Sequence, residues 1–144
     1  MRKNFELREK TPEIPQKVLE NIKFEALSQP LEDRRFSIEN TNYALRISRS
    51  KNDKGEANGQ PAEYYAQPNE WAIYIWEDLM EKIQRVLLFH EITEIYLRKK
   101  FDMEKTPAHN ASLPYDEQIK KELLSEDEEK VLKELKEKYS KKTL

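Results

Sequence analysis

The sequence contains no cysteine, only two glycines and two histidines, and no long apolar run. Without cysteine, disulfides and thiolate ligands within this chain are excluded, so a metal site here would need histidine and carboxylate ligands. No stretch reaches the roughly 20 apolar residues of a transmembrane helix. The charged start, MRKNFELREK, does not resemble a secretory signal. We therefore expect a soluble cytoplasmic protein without a membrane partner.

Charge is balanced along the chain, with 26 basic and 28 acidic side chains and a net charge of −2. Such interleaved charge provides no basic footprint for nucleic acid, so no nucleic-acid partner is expected. A length of 144 residues suits a single domain, 1–144, with one modest core. We expect residues 1–12 to form a flexible arm. Residues 125–144 are expected to form a C-terminal helix that lies on the body of the domain as a potential cover for a cleft.

The first half of the chain predicts one helix followed by strands. Residues 15–28 start at a proline suited to a first helical turn and carry apolar side chains at helical spacing. Residues 36–38 and 43–47 alternate between apolar and polar, with a turn at 40–42, which predicts a hairpin. A long polar loop, 49–69, contains a short edge strand at 63–65. The aromatic segment WAIYIW at 71–76 is the clearest strand.

The second half predicts helices only, so the fold class is α+β. A long helix is expected at 78–100. Thr106 and Pro107 indicate an N-cap and first-turn proline of a short helix that bends or ends at Pro114. Another helix is predicted at 116–124. Ser125 and Glu128 form a capping box that begins the last helix.

The long helix is apolar on nearly every side, which is typical of a buried helix. Its centre, VLLFHEITEIYL at 86–97, nevertheless contains His90, Glu91 and Glu94. Burying a carboxylate without a partner lowers the stability of the fold by roughly several kcal/mol, so a neighbouring group or ion must compensate its charge. His90 and Glu94 are four residues apart and share one face, where they could hold a divalent cation together. Glu91 points about 100° away, from where it could act as a general base toward a water molecule.

His109 is the only other histidine and follows Glu94 across a short turn. If its helix packs back on the long helix, His90, Glu94 and His109 form a His₂Glu set, which is a known catalytic zinc combination. Two histidines and one carboxylate also form the facial triad of non-haem iron enzymes, so Fe²⁺ or another divalent metal is an alternative. A metal-free interpretation, with His90 and Glu94 as a hydrogen-bonded pair at the core edge, stays open.

These segments resemble the zincin metallopeptidases, in particular the gluzincins and their small members, the minigluzincins. The resemblance covers roughly residues 36–113 and rests on HEITE at 90–94, WAIYIW at 71–76, the polar loop, and TPAHNAS at 106–112. It implies a minimal zincin-like fold, in which a small twisted, mostly antiparallel sheet packs on a backing helix and an active-site helix. Further helices follow at the C-terminus. The motif is HExxE followed by His109, in place of HExxH followed by a glutamate.

The resemblance implies hydrolysis of peptide bonds in a peptide or protein substrate, with one Zn²⁺ ion and Glu91 as general base. Separately, the C-terminal helix or the N-terminal arm could cover the cleft and hold the enzyme latent. Tyr115, Tyr96 and Asn110 are the candidates, by proximity in sequence, for stabilising the transition state, and Tyr115 is the one preferred. Tyr64, Tyr65 and Trp71 are the candidates for substrate binding. The alternative is a catalytically inactive binding or regulatory module on the zincin fold.

Overall fold

In the computed structural model, residues 12–140 are described, so the expected arm lies almost wholly outside the described residues. The predicted α+β class, with helices following the sheet, is confirmed. The elements in chain order are α1 (Gln16–Lys23), a π-helical turn (Phe24–Ser28), β1 (Arg34–Ile38), β2 (Thr41–Ser48), β3 (Ala62–Ala66), β4 (Trp71–Trp76), α2 (Glu81–Phe101), α3 (Lys105–Leu123) and α4 (Glu126–Ser140).

The four strands form one sheet in the order β1-β2-β4-β3. β1 and β3 pair antiparallel with their neighbours, whereas the central pair of β2 and β4 is parallel. The sheet is therefore mixed, with two antiparallel pairings out of three. The predicted hairpin exists, but its turn is centred on Glu39 and Asn40, both with positive φ, and not on residues 40–42. A two-residue turn with positive φ at both residues matches the right-handed twist of the strands that it connects.

α2 is the central helix of the fold. It contacts α1, the sheet and α3, and side chains from nearly all directions around it are buried, including Leu88, Phe89 and Ile92. It begins at Glu81, a few residues later than predicted. This enclosure follows from the apolar sequence and places the central charges of the helix inside the protein.

α3 corrects a prediction. Residues 105–123 form one continuous helix that runs through Pro114, where we expected a bend or an end. The helix starts at Lys105 after Glu104, so Thr106 is not its N-cap. A proline removes one helical hydrogen bond. Packing of Ala108, Ala111 and other apolar side chains of α3 against α2 compensates for this loss. All side chains from 105 to 123 are consequently held on one element.

α4 begins at the predicted capping box. The backbone N–H of Ser125 donates to Glu128 Oε1 at 2.8 Å, and that of Glu128 donates to Ser125 Oγ at 3.2 Å. Leu132 is 1% exposed, and the Tyr139 ring stacks edge-on against Trp76 at 5.0 Å between centroids. The helix therefore lies on the body of the fold, as expected for its apolar stripe.

None of the helices within residues 12–140 combines the length and the apolarity that a membrane span requires.

Replacing Leu88 with alanine is expected to lower the free energy of unfolding by about 2–5 kcal/mol, because Leu88 is fully buried in α2 and the change leaves a cavity. Urea or guanidinium denaturation followed by circular dichroism measures this change. Val131→Ala on α4 is the control, since Val131 is 43% exposed and its truncation should shift the free energy by less than about 0.5 kcal/mol. Equal effects of the two substitutions would contradict the burial of α2.

Candidate metal centre

His90 and Glu94 of α2 and His109 of α3 converge on one point. Each of them offers a ligand atom, and these atoms lie within 4.8 Å of one another. His90 Nε2 is 3.2 Å from Glu94 Oε1, and His109 Nδ1 is 3.1 Å from the same oxygen. A tetrahedral site with bonds of about 2.0–2.1 Å has ligand–ligand edges of roughly 3.3 Å. The spacing and the donor types therefore fit a metal ion, and this group could hold one.

The orientation of His90 is fixed by a residue that sequence reasoning missed. Asp116 Oδ2 is 2.6 Å from His90 Nδ1, and Asp116 is 3% exposed. This contact engages Nδ1 and leaves Nε2 facing Glu94 and His109. A histidine held by a carboxylate on its far nitrogen is a common arrangement behind metal ligands. The sequence did contain a signal for Asp116, because it follows His109 by seven residues and so lies two turns further along the same face of α3.

Glu94 is held through both of its oxygens. Oε1 faces the two histidines, and Oε2 accepts a hydrogen bond from the Tyr64 hydroxyl of β3. Arg98 Nη1 in turn donates to the Tyr64 hydroxyl at 3.3 Å, and the Trp71 ring packs edge-on against Tyr64. Tyr64, predicted to bind substrate, thus contacts the ligand candidate Glu94. Trp71, also predicted to bind substrate, packs against Tyr64.

Charge in the cluster is set by these hydrogen bonds. Burial alone would raise the pKa of Glu94, but bonds from His90 and Tyr64 lower it to about 2, so Glu94 is an anion. Burial alone would lower the pKa of His90, but the carboxylates of Asp116 and Glu94 raise it to about 10. In the absence of an ion, these contacts give the polar atoms of the cluster hydrogen-bond partners. The arrangement is therefore also compatible with the metal-free interpretation.

Besides Trp71, two predicted site residues do not contact the cluster. Tyr65 neighbours Tyr64 on β3 and therefore points to the opposite face of the sheet, where it is 51% exposed and packs against Tyr74. The Tyr115 hydroxyl accepts a hydrogen bond from the backbone N–H of Ile14 at 2.9 Å. Six residues along a helix turn a side chain about 120° away, which separates Tyr115 from the face of His109.

Glu91 lies beside the cluster and lines two cavities, one of about 480 Å³ and a smaller one of about 240 Å³. It is 7% exposed, and burial raises the pKa of its carboxyl to about 7. It forms no hydrogen bond or salt bridge with any of the residues from 12 to 140. Lys105, at the start of α3, lines the smaller cavity with it. Glu91 is thus a buried carboxylate whose open side is the cavity.

Comparisons with protein-family models, with curated proteins and with solved structures gave no match. The case for any function therefore rests on the residues of this chain alone.

Replacing Asp116 with asparagine is expected to weaken zinc binding about 10- to 100-fold, because His90 loses the carboxylate that orients its ring and raises its basicity. Competition against a chromogenic chelator measures the affinity. Glu117→Gln is the matched control, since the neighbouring Glu117 is exposed and pairs with Lys120, away from the cluster. Identical affinities for the Asp116 variant and the control would remove Asp116 from the site.

Proposed function

We propose that this protein is a zinc-dependent peptidase of the zincin type, in which His90, Glu94 and His109 hold the ion. The observation that carries the proposal is the buried carboxylate of Glu91 beside this ligand set, which makes no hydrogen bond or salt bridge with residues 12–140. A structural role would not require it, since burial without a partner is costly and is tolerated chiefly where a site uses it. Zinc is favoured over iron because a glutamate at this place on the helix suits hydrolysis.

A bound zinc ion would lower the pKa of a water molecule and polarise the substrate carbonyl. The chain supplies the remaining chemistry. Glu91 accepts a proton from the attacking water and passes it to the leaving amine, for which a carboxyl with a raised pKa is suited. Asp116 and Tyr64 keep His90 and Glu94 in position during these proton transfers.

β3 is the edge strand next to the site and is the proposed binding place for the peptide. Its inner side pairs with β4, so its outer backbone groups are available to add an extended substrate strand. Ala62 and Tyr64 of β3 line the smaller cavity together with all three ligand candidates. Tyr65 would contact a substrate only through its backbone.

The group that stabilises the transition state is reassigned from Tyr115 to the wall of the smaller cavity. Lys105 carries a positive charge there, and its ammonium group lies 5.5 Å from the centre of the Tyr64 ring. A cation aimed at the position where negative charge develops lowers the barrier. We assign this role to Lys105, with Tyr64 as the neighbouring hydroxyl.

A second function, binding without hydrolysis, is favoured by one observation. The cluster is already satisfied by hydrogen bonds among His90, Glu94, His109 and Tyr64, which is the form a retired site would keep. In that case the protein would be a regulatory module that recognises a peptide at β3.

A mixture of peptides incubated with the intact protein separates the two functions. The peptidase proposal expects new fragments by mass spectrometry when zinc is present, loss of cleavage with a chelator, and recovery when zinc is restored. Metal analysis of protein purified without added metal distinguishes zinc from iron. Bound zinc together with no cleavage of any peptide would favour the binding module, and no bound metal would contradict the metal centre itself.

A further inference from the structure

The larger cavity beside Glu91 has a volume of about 480 Å³, within the range of ligand-binding pockets. His90, Glu91 and His109 form one side of it. The rest of the lining is mainly apolar, from Pro61, Ala62, Leu87, Leu113, Leu135 and Tyr139. An apolar side chain of a substrate could be buried here next to the reacting groups.

α4 forms the far wall of this cavity. Leu135, Lys136 and Tyr139 line it, and the helix is fixed by buried Leu132 and by the contact of Tyr139 with Trp76. α4 therefore closes the larger cavity on the side away from the cluster. A substrate chain reaching the cavity along β3 would meet α4.

Lys136 is the cation on that wall. The residue is exposed, but its surroundings remove enough water from the ammonium group to lower its pKa. Three acids lie near it: Asp116 and Glu117 are engaged by His90 and Lys120 respectively, and Glu91 lines the same cavity but is not within salt-bridge distance of Lys136. Lys136 itself makes no salt bridge with any residue of the described range. It is consequently free to receive an anion that enters the cavity.

The direction of β3 indicates which end of a peptide would arrive there. β3 runs from Ala62, at the cavity, to Ala66. A peptide added antiparallel, the slightly more stable pairing, would run from the Ala66 side to the Ala62 side. Its C-terminal end would then point into the cavity. A peptide added parallel would bring its N-terminal ammonium group toward Lys136, where like charges repel.

We propose that the chain is a carboxypeptidase, which rests on the proposed peptidase function: the cavity holds the last, apolar residue of a peptide, and Lys136 binds its free α-carboxylate. Water adds to the carbonyl of the preceding residue, and the C–N bond to the last residue breaks. Glu91 transfers the proton from water to the leaving amine. The products are the peptide shortened by one residue and a free apolar amino acid.

The first test is binding in the full-length, metal-free chain, where no hydrolysis competes. The probes are acetyl-Leu-Phe with a free carboxylate and the same compound as its C-terminal amide, titrated by calorimetry. We expect the acid to bind at least about tenfold more tightly, as a charge-assisted hydrogen bond allows. Lys136→Gln should abolish this preference. Lys133→Gln should keep it, because Lys133 lies on the same helix but does not line this cavity.

Equal binding of acid and amide, a preference that survives in Lys136→Gln, or no binding of either probe would overturn the proposal. The second test uses the zinc-loaded chain and a longer peptide as acid and as amide. We expect release of the last residue from the acid and a kcat/KM at least about tenfold lower for the amide. Internal cleavage of both at equal rates would overturn the carboxypeptidase but leave the peptidase. With zinc bound, no cleavage of either would contradict the peptidase and this assignment with it.

Discussion

Replacing Glu91 with glutamine is expected to lower kcat for peptide hydrolysis by about 100- to 10,000-fold, the usual contribution of a general base. Glutamine has nearly the same shape but cannot accept the proton from water. Because Glu91 lines the cavity and is not one of the ligand candidates, zinc binding should be retained. The measurement is kcat with a peptide found in the cleavage screen, together with zinc content.

The control for this substitution is Glu81→Gln on the same helix. Glu81 is exposed and pairs with Arg85, four residues on, so its loss should leave kcat unchanged. Full activity in a Glu91→Gln preparation of verified sequence would show that another group removes the proton. Loss of zinc from that variant would instead make Glu91 part of the metal site.

Replacing His109 with alanine is expected to weaken zinc binding by more than the roughly 10- to 100-fold that loss of a supporting contact costs, and to abolish hydrolysis. His109 supplies one of three ligand atoms, and a two-ligand site retains little affinity. Its side chain is 51% exposed, so the thermal midpoint of the metal-free protein should hardly change. Chelator competition and thermal unfolding, measured side by side, separate a lost ligand from a damaged fold.

Asn110→Ala is the matched control, since Asn110 is the next residue of α3 and is exposed. It should bind zinc like the unaltered chain. If His109→Ala bound zinc as tightly as Asn110→Ala, then the third ligand would have to come from another residue, and the proposed set would be wrong.

The arrangement of the cluster was predictable from the sequence wherever local spacing governs it. Four-residue spacing puts His90 and Glu94 on one face of a helix, and the apolar run around them implies burial. His109 could be selected because only two histidines exist in the chain. The interior strand β4 was predicted from its aromatic and β-branched composition.

Other features depend on packing between distant segments, which spacing does not encode. Pro114 was expected to interrupt α3, but contacts of α3 with α2 outweigh the one lost hydrogen bond. Tyr115 was chosen for transition-state stabilisation by its proximity in sequence to the ligand candidates. The tyrosine that contacts Glu94 is Tyr64, which precedes Glu94 by thirty residues. The cavity under α4 and the place of Lys136 in its wall arise only when the last helix docks.

The central claim is that His90, Glu94 and His109 bind one zinc ion, and anomalous X-ray scattering from crystals of the zinc-loaded protein tests it most directly. Data collected on both sides of the zinc absorption edge should give a single strong peak in contact with these three side chains and next to the Glu91 carboxylate. No peak at that place, with the His109 ring turned toward solvent, would contradict the account.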